Sequence, residues 1–302
     1  MPFSAGCRVA LADDIPVLVL YPAEEPEVPT PLGPFEISAA PDSPVAAGLF
    51  PLVVISHGTG SWHLLHRNLA RHLARNGFIV AVPEHPRNNR NNNDLAGTAE
   101  NMTNRPRHIR SVIDWAMSDR ATGPHIKSDT VAIIGHSMGG YTALACAGGR
   151  PIAFPHETPD MQVHQIDVTP DPRIKALVLL APATPWFKTH GALADVTAPI
   201  LMLTAELDEH THQFHAGVVE RGLPEETLLE HRVVPGAGHF SFLSPYPQAM
   251  IKPDFPPSQD PAGFNRPRFH DEMNGEVLAF LRRVLECDSV GPVRMFPFRR
   301  LA

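Results

Sequence analysis

The sequence predicts an α/β fold in which a mostly parallel sheet is covered by helices on both faces. Short continuous apolar runs, such as residues 50–56 and 78–82, are typical of strands that are buried on both faces. Between these two runs, Leu65, Leu69 and Leu73 form an apolar stripe at helical spacing. Strands that alternate with helices at this spacing indicate parallel strands joined by crossover helices.

Further elements continue the alternation along the chain. One or two opening strands are predicted over residues 8–21. Later strands are expected at 131–135, 174–181, 199–205 and 227–234, and helices at 64–76, 105–117, 136–148, 211–221 and 271–286. The 33 prolines crowd residues 22–51, 151–172 and 245–267, where we expect ordered but irregular loops. We therefore predict a single domain over residues 1–302, with a lid-like insertion at 149–170 and a long loop at 245–267.

Composition argues against several function classes. The formal net charge is −7 with only 25 Lys and Arg residues, so neither nucleic acid nor an anionic membrane is an expected partner. No stretch approaches the roughly 18 apolar residues of a membrane span. Cys7, Cys146 and Cys287 are too isolated for a disulfide framework or a zinc site. Because the N-terminus lacks the pattern of a secretory signal, we expect a cytoplasmic protein; its oligomeric state is not predicted.

The segment Gly135-His-Ser-Met-Gly139 carries the chemistry. It follows a run rich in β-branched residues and precedes a small-residue segment with good helix propensity. In that strand–turn–helix context, Gly-x-Ser-x-Gly indicates a nucleophile elbow, which holds a serine at the tip of a tight turn. Glycine is needed on either side because the two backbones nearly touch. Ser137 is therefore the predicted nucleophile.

A serine nucleophile needs a base and an acid that orients the base. In such sheets ligands meet the carboxyl ends of the strands, which favours residues in the loops directly after them. His239 follows the strand predicted at 227–234, and we assign it as the base; His231 and His270 are expected to be structural. Asp208 follows the strand at 199–205 and is preferred as the acid over Glu206, which we expect to sit deeper.

The oxyanion of an acyl-transfer intermediate needs two N–H donors that are already in position. One is expected to be the amide of Met138, directly after the nucleophile. The other is expected from the loop after the strand at 50–56, with Thr59 preferred and Gly60 as the alternative. Gly60, Trp62, His136 and Phe240 are candidates for lining a substrate pocket, although core packing is an alternative for Trp62 and Phe240 and backbone hydrogen bonding for His136.

Other polar groups are interpreted as structural. Glu209, His210, His212 and His215 are not spaced to place three ligands on one helix face, so no metal site is predicted. The asparagine-rich run at 88–93 is interpreted as a polar loop. No phosphate-binding or dinucleotide-binding motif is present, and no cofactor is expected.

These motifs resemble α/β-hydrolases of the dienelactone hydrolase group, in particular the bacterial relatives of platelet-activating-factor acetylhydrolase. The likeness extends from Tyr21 to about Leu285 and is carried by the segments 53–61, 76–85, 135–140, 236–240, 260–266 and 269–270. It implies an α/β-hydrolase fold and a short-acyl serine esterase with Ser137 as nucleophile, His239 as base, and Thr59 and Met138 as oxyanion donors.

The sequence departs from these families at two positions. Dienelactone hydrolases have a cysteine at the elbow, where this chain has Ser137. The animal acetylhydrolases take their acid from the loop after the next strand, which here is 181–186 and contains no carboxylate, so the acid role passes to Asp208.

The expected activity is hydrolysis of a small-molecule carboxylic ester through an acyl-enzyme. Two alternatives remain open at this point. The same triad serves an amide or peptide hydrolase. A hydrolase-like binding protein without activity is the other, although here every catalytic role has a candidate residue.

Overall fold

A computed structural model of the chain describes residues 2–285, and within them a ten-stranded sheet runs unbroken with helices on both faces. A separate two-stranded pair, β8 and β9, lies in the insertion. The strands are β1 (Ser4–Ala12), β2 (Ile15–Ala23), β3 (Val28–Leu32), β4 (Phe35–Pro41), β5 (Phe50–Ser56), β6 (Ile79–Pro83), β7 (Ile126–His136), β8 (Ile152–Ala153), β9 (His164–Gln165), β10 (Ile174–Leu180), β11 (Ile200–Ala205) and β12 (Leu229–Val234). The helices are α1 (Arg67–Arg75), α2 (Ala99–Ser118), α3 (Met138–Cys146), α4 (Gln213–Gly222) and α5 (Arg266–Leu285).

The strand order is β12-β11-β10-β7-β5-β6-β2-β1-β4-β3. From β12 to β6 all neighbours are parallel, and β2 then pairs antiparallel with β6. The predicted mostly parallel sheet is confirmed. Because parallel strands end at the same edge, the loops after β5, β7, β11 and β12 meet there.

The prediction of an irregular loop over the first proline-rich stretch, 22–51, is wrong for its middle part. β3 and β4 form an antiparallel hairpin at the end of the sheet. Pro29 and Pro31 lie in β3, the outermost strand. Proline lacks the N–H that an interior strand must donate, and an edge strand is where it is tolerated.

The sheet separates two apolar cores. β5 contributes alternate residues to each, with Val53 and Ile55 on one face and Leu52 and Val54 on the other. α1 and α5 cover the first face, and α2 and α3 cover the second. All seven residues of β5 are buried, as the continuous apolar run predicts.

α2 begins six residues before the predicted start. The hydroxyl of Thr98 accepts a hydrogen bond from Asn101 N at 3.2 Å and caps the helix at Ala99. Pro106 then lies inside the helix and leaves the carbonyl of Met102 without its i+4 donor. The hydroxyl of Tyr141 on α3 donates to that carbonyl at 3.1 Å, so the two helices are joined where the proline interrupts the ladder.

The insertion at 149–170 is attached to the turn that follows β10. β8 and β9 pair within it, and Trp186 Nε1 donates to Glu157 Oε1 at 2.8 Å. The loop at 245–267 is irregular, as predicted, apart from two short 3₁₀ turns at Gln248–Met250 and Pro256–Ser258.

α5 starts at Arg266 rather than 271, and the predicted end at 286 lies outside the described residues, as does Cys287. Cys7 and Cys146 are free and buried. None of the helices described is both long and apolar enough to cross a bilayer.

Candidate active site

Ser137 lies between β7 and α3 with its backbone at φ 54° and ψ −118°, a conformation that is strained for a residue with a side chain. The flanking glycines permit this turn. A Cβ on Gly135 would lie 2.1 Å from the Gly139 carbonyl oxygen, and one on Gly139 would lie 1.9 Å from that of Ser56. The elbow therefore has the backbone contacts that its motif predicts.

The structure brings two other predicted residues together at the same edge of the sheet. Nδ1 of His239 lies 2.9 Å from Oδ2 of Asp208, and both side chains are buried. An Nδ1–H that donates to this carboxylate leaves the lone pair of the ring on Nε2. His239 is thereby oriented as a base that accepts a proton at Nε2.

Asp208 is held by a local turn as well as by the histidine. Its Oδ1 accepts hydrogen bonds from the amides of His210 at 2.8 Å and Thr211 at 2.7 Å, and its Oδ2 accepts one from the Thr211 hydroxyl at 2.8 Å. Burial by itself raises the pKa of Asp208, but the hydrogen bonds from His239 and Thr211 outweigh it and hold that pKa below its usual value. The carboxylate is therefore ionised at neutral pH.

Glu206 takes a different place. Its side chain is exposed, and its Oε2 accepts a hydrogen bond from the amide of Gly236 at 2.7 Å. Glu206 therefore holds the turn that leads to His239 rather than contacting the imidazole. The geometry favours Asp208, but the expectation that Glu206 sits deeper is wrong, because the turn after β11 directs Asp208 inward.

His136 supports the histidine loop. Its Nε2 lies 3.0 Å from the carbonyl oxygen of His239, and the two rings are 4.9 Å apart. With 2% of its surface exposed, His136 is a packed side chain, and the suggestion that it lines a substrate pocket is not supported. The interpretation as a residue that hydrogen-bonds nearby backbone agrees with the structure.

The loop after β5 lies directly against the nucleophile. A Cβ built on Gly58 would lie 3.1 Å from Cβ of Ser137. Within residues 2–285 the amide of the next residue, Thr59, has no hydrogen-bond acceptor. Met138 is the first residue of α3, where an amide has no partner inside the helix. Both predicted donors thus flank Ser137, and Gly60 (φ 58°) follows with Asn93 beside it.

A buried polar cluster lies behind this loop, and the sequence did not reveal it. Asn88 and Arg105 are fully buried, and Asn88 donates through Nδ2 to the hydroxyl of Thr59 at 2.8 Å. The interpretation of residues 88–93 as a simple polar loop is therefore incomplete. Residues of this run brace the candidate oxyanion loop.

The comparisons with known proteins agree with this architecture. A model of the chlorophyllase family matches residues 23–154. A ferulic acid esterase from Streptomyces cinnamoneus superimposes with a TM-score of 0.65 over 94% of this chain and 90% of its own, at 19% sequence identity. The chain has the α/β-hydrolase fold.

Curated relatives of this α/β-hydrolase share lower coverage. Cutinase est2 from Thermobifida alba is 24% identical over 176 residues, which are 57% of this chain and 47% of that protein. A bis(hydroxyethyl) terephthalate hydrolase from Streptomyces coelicolor is 24% identical over 200 residues, 64% of this chain and 52% of that protein. The hydrolase thus spans about half the length of the curated relatives it matches.

The remaining pocket candidates of the hydrolase differ in their surroundings. Phe240 is half-buried, with its ring 5.2 Å from those of both His239 and His210, so it lies at the site. Trp62 packs against Phe35 with ring centroids 5.6 Å apart and lies under the guanidinium of Arg90 at 4.4 Å. Its neighbours are core and surface groups, which favours the packing alternative.

The other histidines near the site of this hydrolase have structural contacts. His215 Nδ1 accepts a hydrogen bond from Thr184 N at 3.0 Å, and His231 pairs with Glu220 at 2.8 Å. His270 lies within α5 and contacts the Ser241 carbonyl oxygen at 3.1 Å. Across residues 2–285, no set of three His, Cys, Asp or Glu side chains is placed to hold a metal ion.

The loop that carries His239 is fixed from the 245–267 segment. Asp260 accepts hydrogen bonds from Ser241 Oγ at 3.0 Å and from Arg266 Nε, and Ser241 Oγ in turn accepts one from Gly238 N at 3.1 Å. This chain of bonds explains why Asp260 and Arg266 accompany the catalytic motifs in the sequence.

Proposed function

We propose that the protein is a serine hydrolase of carboxylic esters that works through an acyl-enzyme. The observation that carries the proposal is the contact of 2.9 Å between His239 Nδ1 and the ionised Asp208, at the sheet edge where Ser137 occupies a strained elbow. Its likeness to a cutinase, a terephthalate-ester hydrolase and a ferulic acid esterase supports an ester as the bond that is cleaved.

The mechanism follows from the positions of these groups. His239 Nε2 takes the hydroxyl proton as Ser137 Oγ attacks the ester carbonyl, and Asp208 stabilises the resulting imidazolium. The amides of Thr59 and Met138 stabilise the oxyanion. His239 then gives its proton to the leaving alcohol. In the second half, His239 takes a proton from water as it attacks the acyl-enzyme, and Ser137 and the acid are released.

The finer assignment to the dienelactone hydrolase and acetylhydrolase group rests on the sequence motifs alone, and we propose it together with a preference for short acyl groups. A panel of p-nitrophenyl acetate, butyrate and decanoate, with methyl ferulate and a matched anilide, tests both points. We expect the acetate or butyrate to give the highest kcat/KM and the anilide to be much slower. A higher kcat/KM for the decanoate or the anilide would contradict the substrate class.

Ser137→Ala tests the proposal itself. This variant should lose p-nitrophenyl acetate hydrolysis and labelling by a fluorophosphonate while its thermal unfolding stays close to that of the wild type. Hydrolysis at the wild-type rate by this variant would refute the assignment.

A further inference from the structure

Arg105 is a fully buried cation on α2, and its contacts within the described residues are with neutral groups. Its Nε donates to the Thr142 hydroxyl at 2.9 Å and its Nη1 to Asn88 Oδ1 at 2.5 Å. Nη2 donates to the Ser56 hydroxyl at 3.2 Å and to the His57 carbonyl. A buried charge is costly, so a guanidinium placed here with neutral acceptors calls for an explanation beyond packing.

These contacts reach both sides of the candidate oxyanion hole. On one side, the bond to the His57 carbonyl fixes the peptide plane that precedes Gly58, and Asn88 passes the restraint on to the Thr59 hydroxyl at 2.8 Å. On the other side, Thr142 donates to the Met138 carbonyl at 3.0 Å, in the first turn of α3. One guanidinium therefore connects the loop that bears Thr59 to the helix that bears Met138.

We propose that Arg105 and Asn88 are positioning residues that hold the amides of Thr59 and Met138 in the geometry of the oxyanion hole. The inference rests on the proposed ester hydrolysis. Gly58 and Gly60 flank Thr59 in a loop that glycine leaves free to move, so the position of the Thr59 amide depends on anchors outside the loop. Donors stabilise an oxyanion only when they are already in place, since reorganisation during the reaction consumes their benefit.

The charge of Arg105 adds to the effect. Burial lowers its pKa to about 9, which still leaves the guanidinium protonated at neutral pH. Nearby His57 and His85 are neutral there, because burial and then the Arg105 charge lower the pKa of each. The positive potential behind the loop is therefore not cancelled by its neighbours, and it favours the negative charge that develops on the substrate oxygen.

The test compares Arg105→Met, Arg105→Lys and the matched control Arg107→Met, an exposed arginine on the same helix. For each we would measure kcat and KM for p-nitrophenyl acetate, the inhibition constant of an alkyl trifluoromethyl ketone, and the melting temperature. Arg105→Met should lower kcat about tenfold to a hundredfold with a smaller change in KM, because the loss falls on the transition state. The inhibition constant should rise in parallel, since the ketone adduct carries an oxyanion. Arg105→Lys should recover part of kcat, and Arg107→Met should match the wild type.

A second pair keeps the inference testable if Arg105→Met does not fold. Thr59→Val removes the hydroxyl that Asn88 contacts, whereas Thr59→Ser keeps it, so the serine variant should lose less kcat than the valine variant. Equal kcat in those two variants, or a folded Arg105→Met with wild-type kcat, would overturn the positioning role. A wild-type protein without esterase activity would instead refute the proposed function, and this inference with it.

Discussion

Replacing Asp208 by asparagine changes one oxygen of the site to an NH₂ group, and the structure shows which contacts that atom makes. Oδ1 accepts the backbone amides of His210 and Thr211, and an asparagine oxygen can keep both bonds. At the position of Oδ2, which now accepts from His239 Nδ1 and the Thr211 hydroxyl, the variant would present a donor. The imidazole would then have to accept at Nδ1 and carry its proton on Nε2.

A histidine with its proton on Nε2 cannot take the proton of Ser137. We therefore expect kcat to fall roughly 10³–10⁴-fold, the scale known for removal of this charge from a serine–histidine–aspartate triad. That loss corresponds to about 4–5.5 kcal/mol of transition-state stabilisation. Glu206→Gln keeps an oxygen that can accept the Gly236 amide, so it should change kcat by less than about threefold.

Both variants would be assayed with p-nitrophenyl acetate, with the concentration of folded enzyme checked by thermal unfolding. The wild type, Asp208→Asn and Glu206→Gln form a matched set, since each variant neutralises one carboxylate after β11. A large loss in Glu206→Gln with little loss in Asp208→Asn would show that the acid is wrongly assigned.

Three predictions concern the folded state. Gly139→Ala places a Cβ 1.9 Å from the Ser56 carbonyl oxygen and should abolish soluble active protein, whereas Gly275→Ala meets open space in α5 and should raise stability by up to about 1 kcal/mol in denaturant unfolding. Tyr141→Phe leaves the Met102 carbonyl without a donor and should lower the free energy of unfolding by about 1–3 kcal/mol; an unchanged unfolding midpoint would contradict the account of Pro106. The pKa of Asp208 is lower in the folded state, so its stabilising effect is present above roughly pH 4 and is lost as pH falls toward its folded value; the stability gap between wild type and Asp208→Asn should narrow over that window, and a gap that widens would reverse the sign.

The parts of the fold and site that the sequence predicts are those set by local backbone geometry. The apolar run at 50–56 has to be a buried strand, and the glycines around Ser137 have to make a tight turn, whatever the rest of the chain does. Once the strands are known to be parallel, their following loops must meet, which is why Asp208 and His239 could be paired in advance.

The features missed depend on contacts between distant segments. Nothing local distinguishes Arg105 from the other arginines of α2; its role comes from Asn88, Thr142 and the His57 carbonyl, which the fold brings to it. The hairpin at 28–41 was obscured because proline is read as a strand breaker, and only its place at the sheet edge makes Pro29 and Pro31 acceptable. The spacing of Asp208 and Thr211 was a usable local signal, since a carboxylate followed three residues later by threonine is typical of a turn that fixes the carboxylate.

The most direct test of the central claim is to trap the covalent intermediate. The protein would be mixed with p-nitrophenyl acetate, quenched in acid within the first turnover, digested, and analysed by mass spectrometry. We predict one acetyl group on the peptide that contains Ser137, formed at a rate no slower than kcat and absent from Ser137→Ala. An active enzyme whose acetyl group lies on another residue, or hydrolysis that continues in Ser137→Ala, would contradict the account.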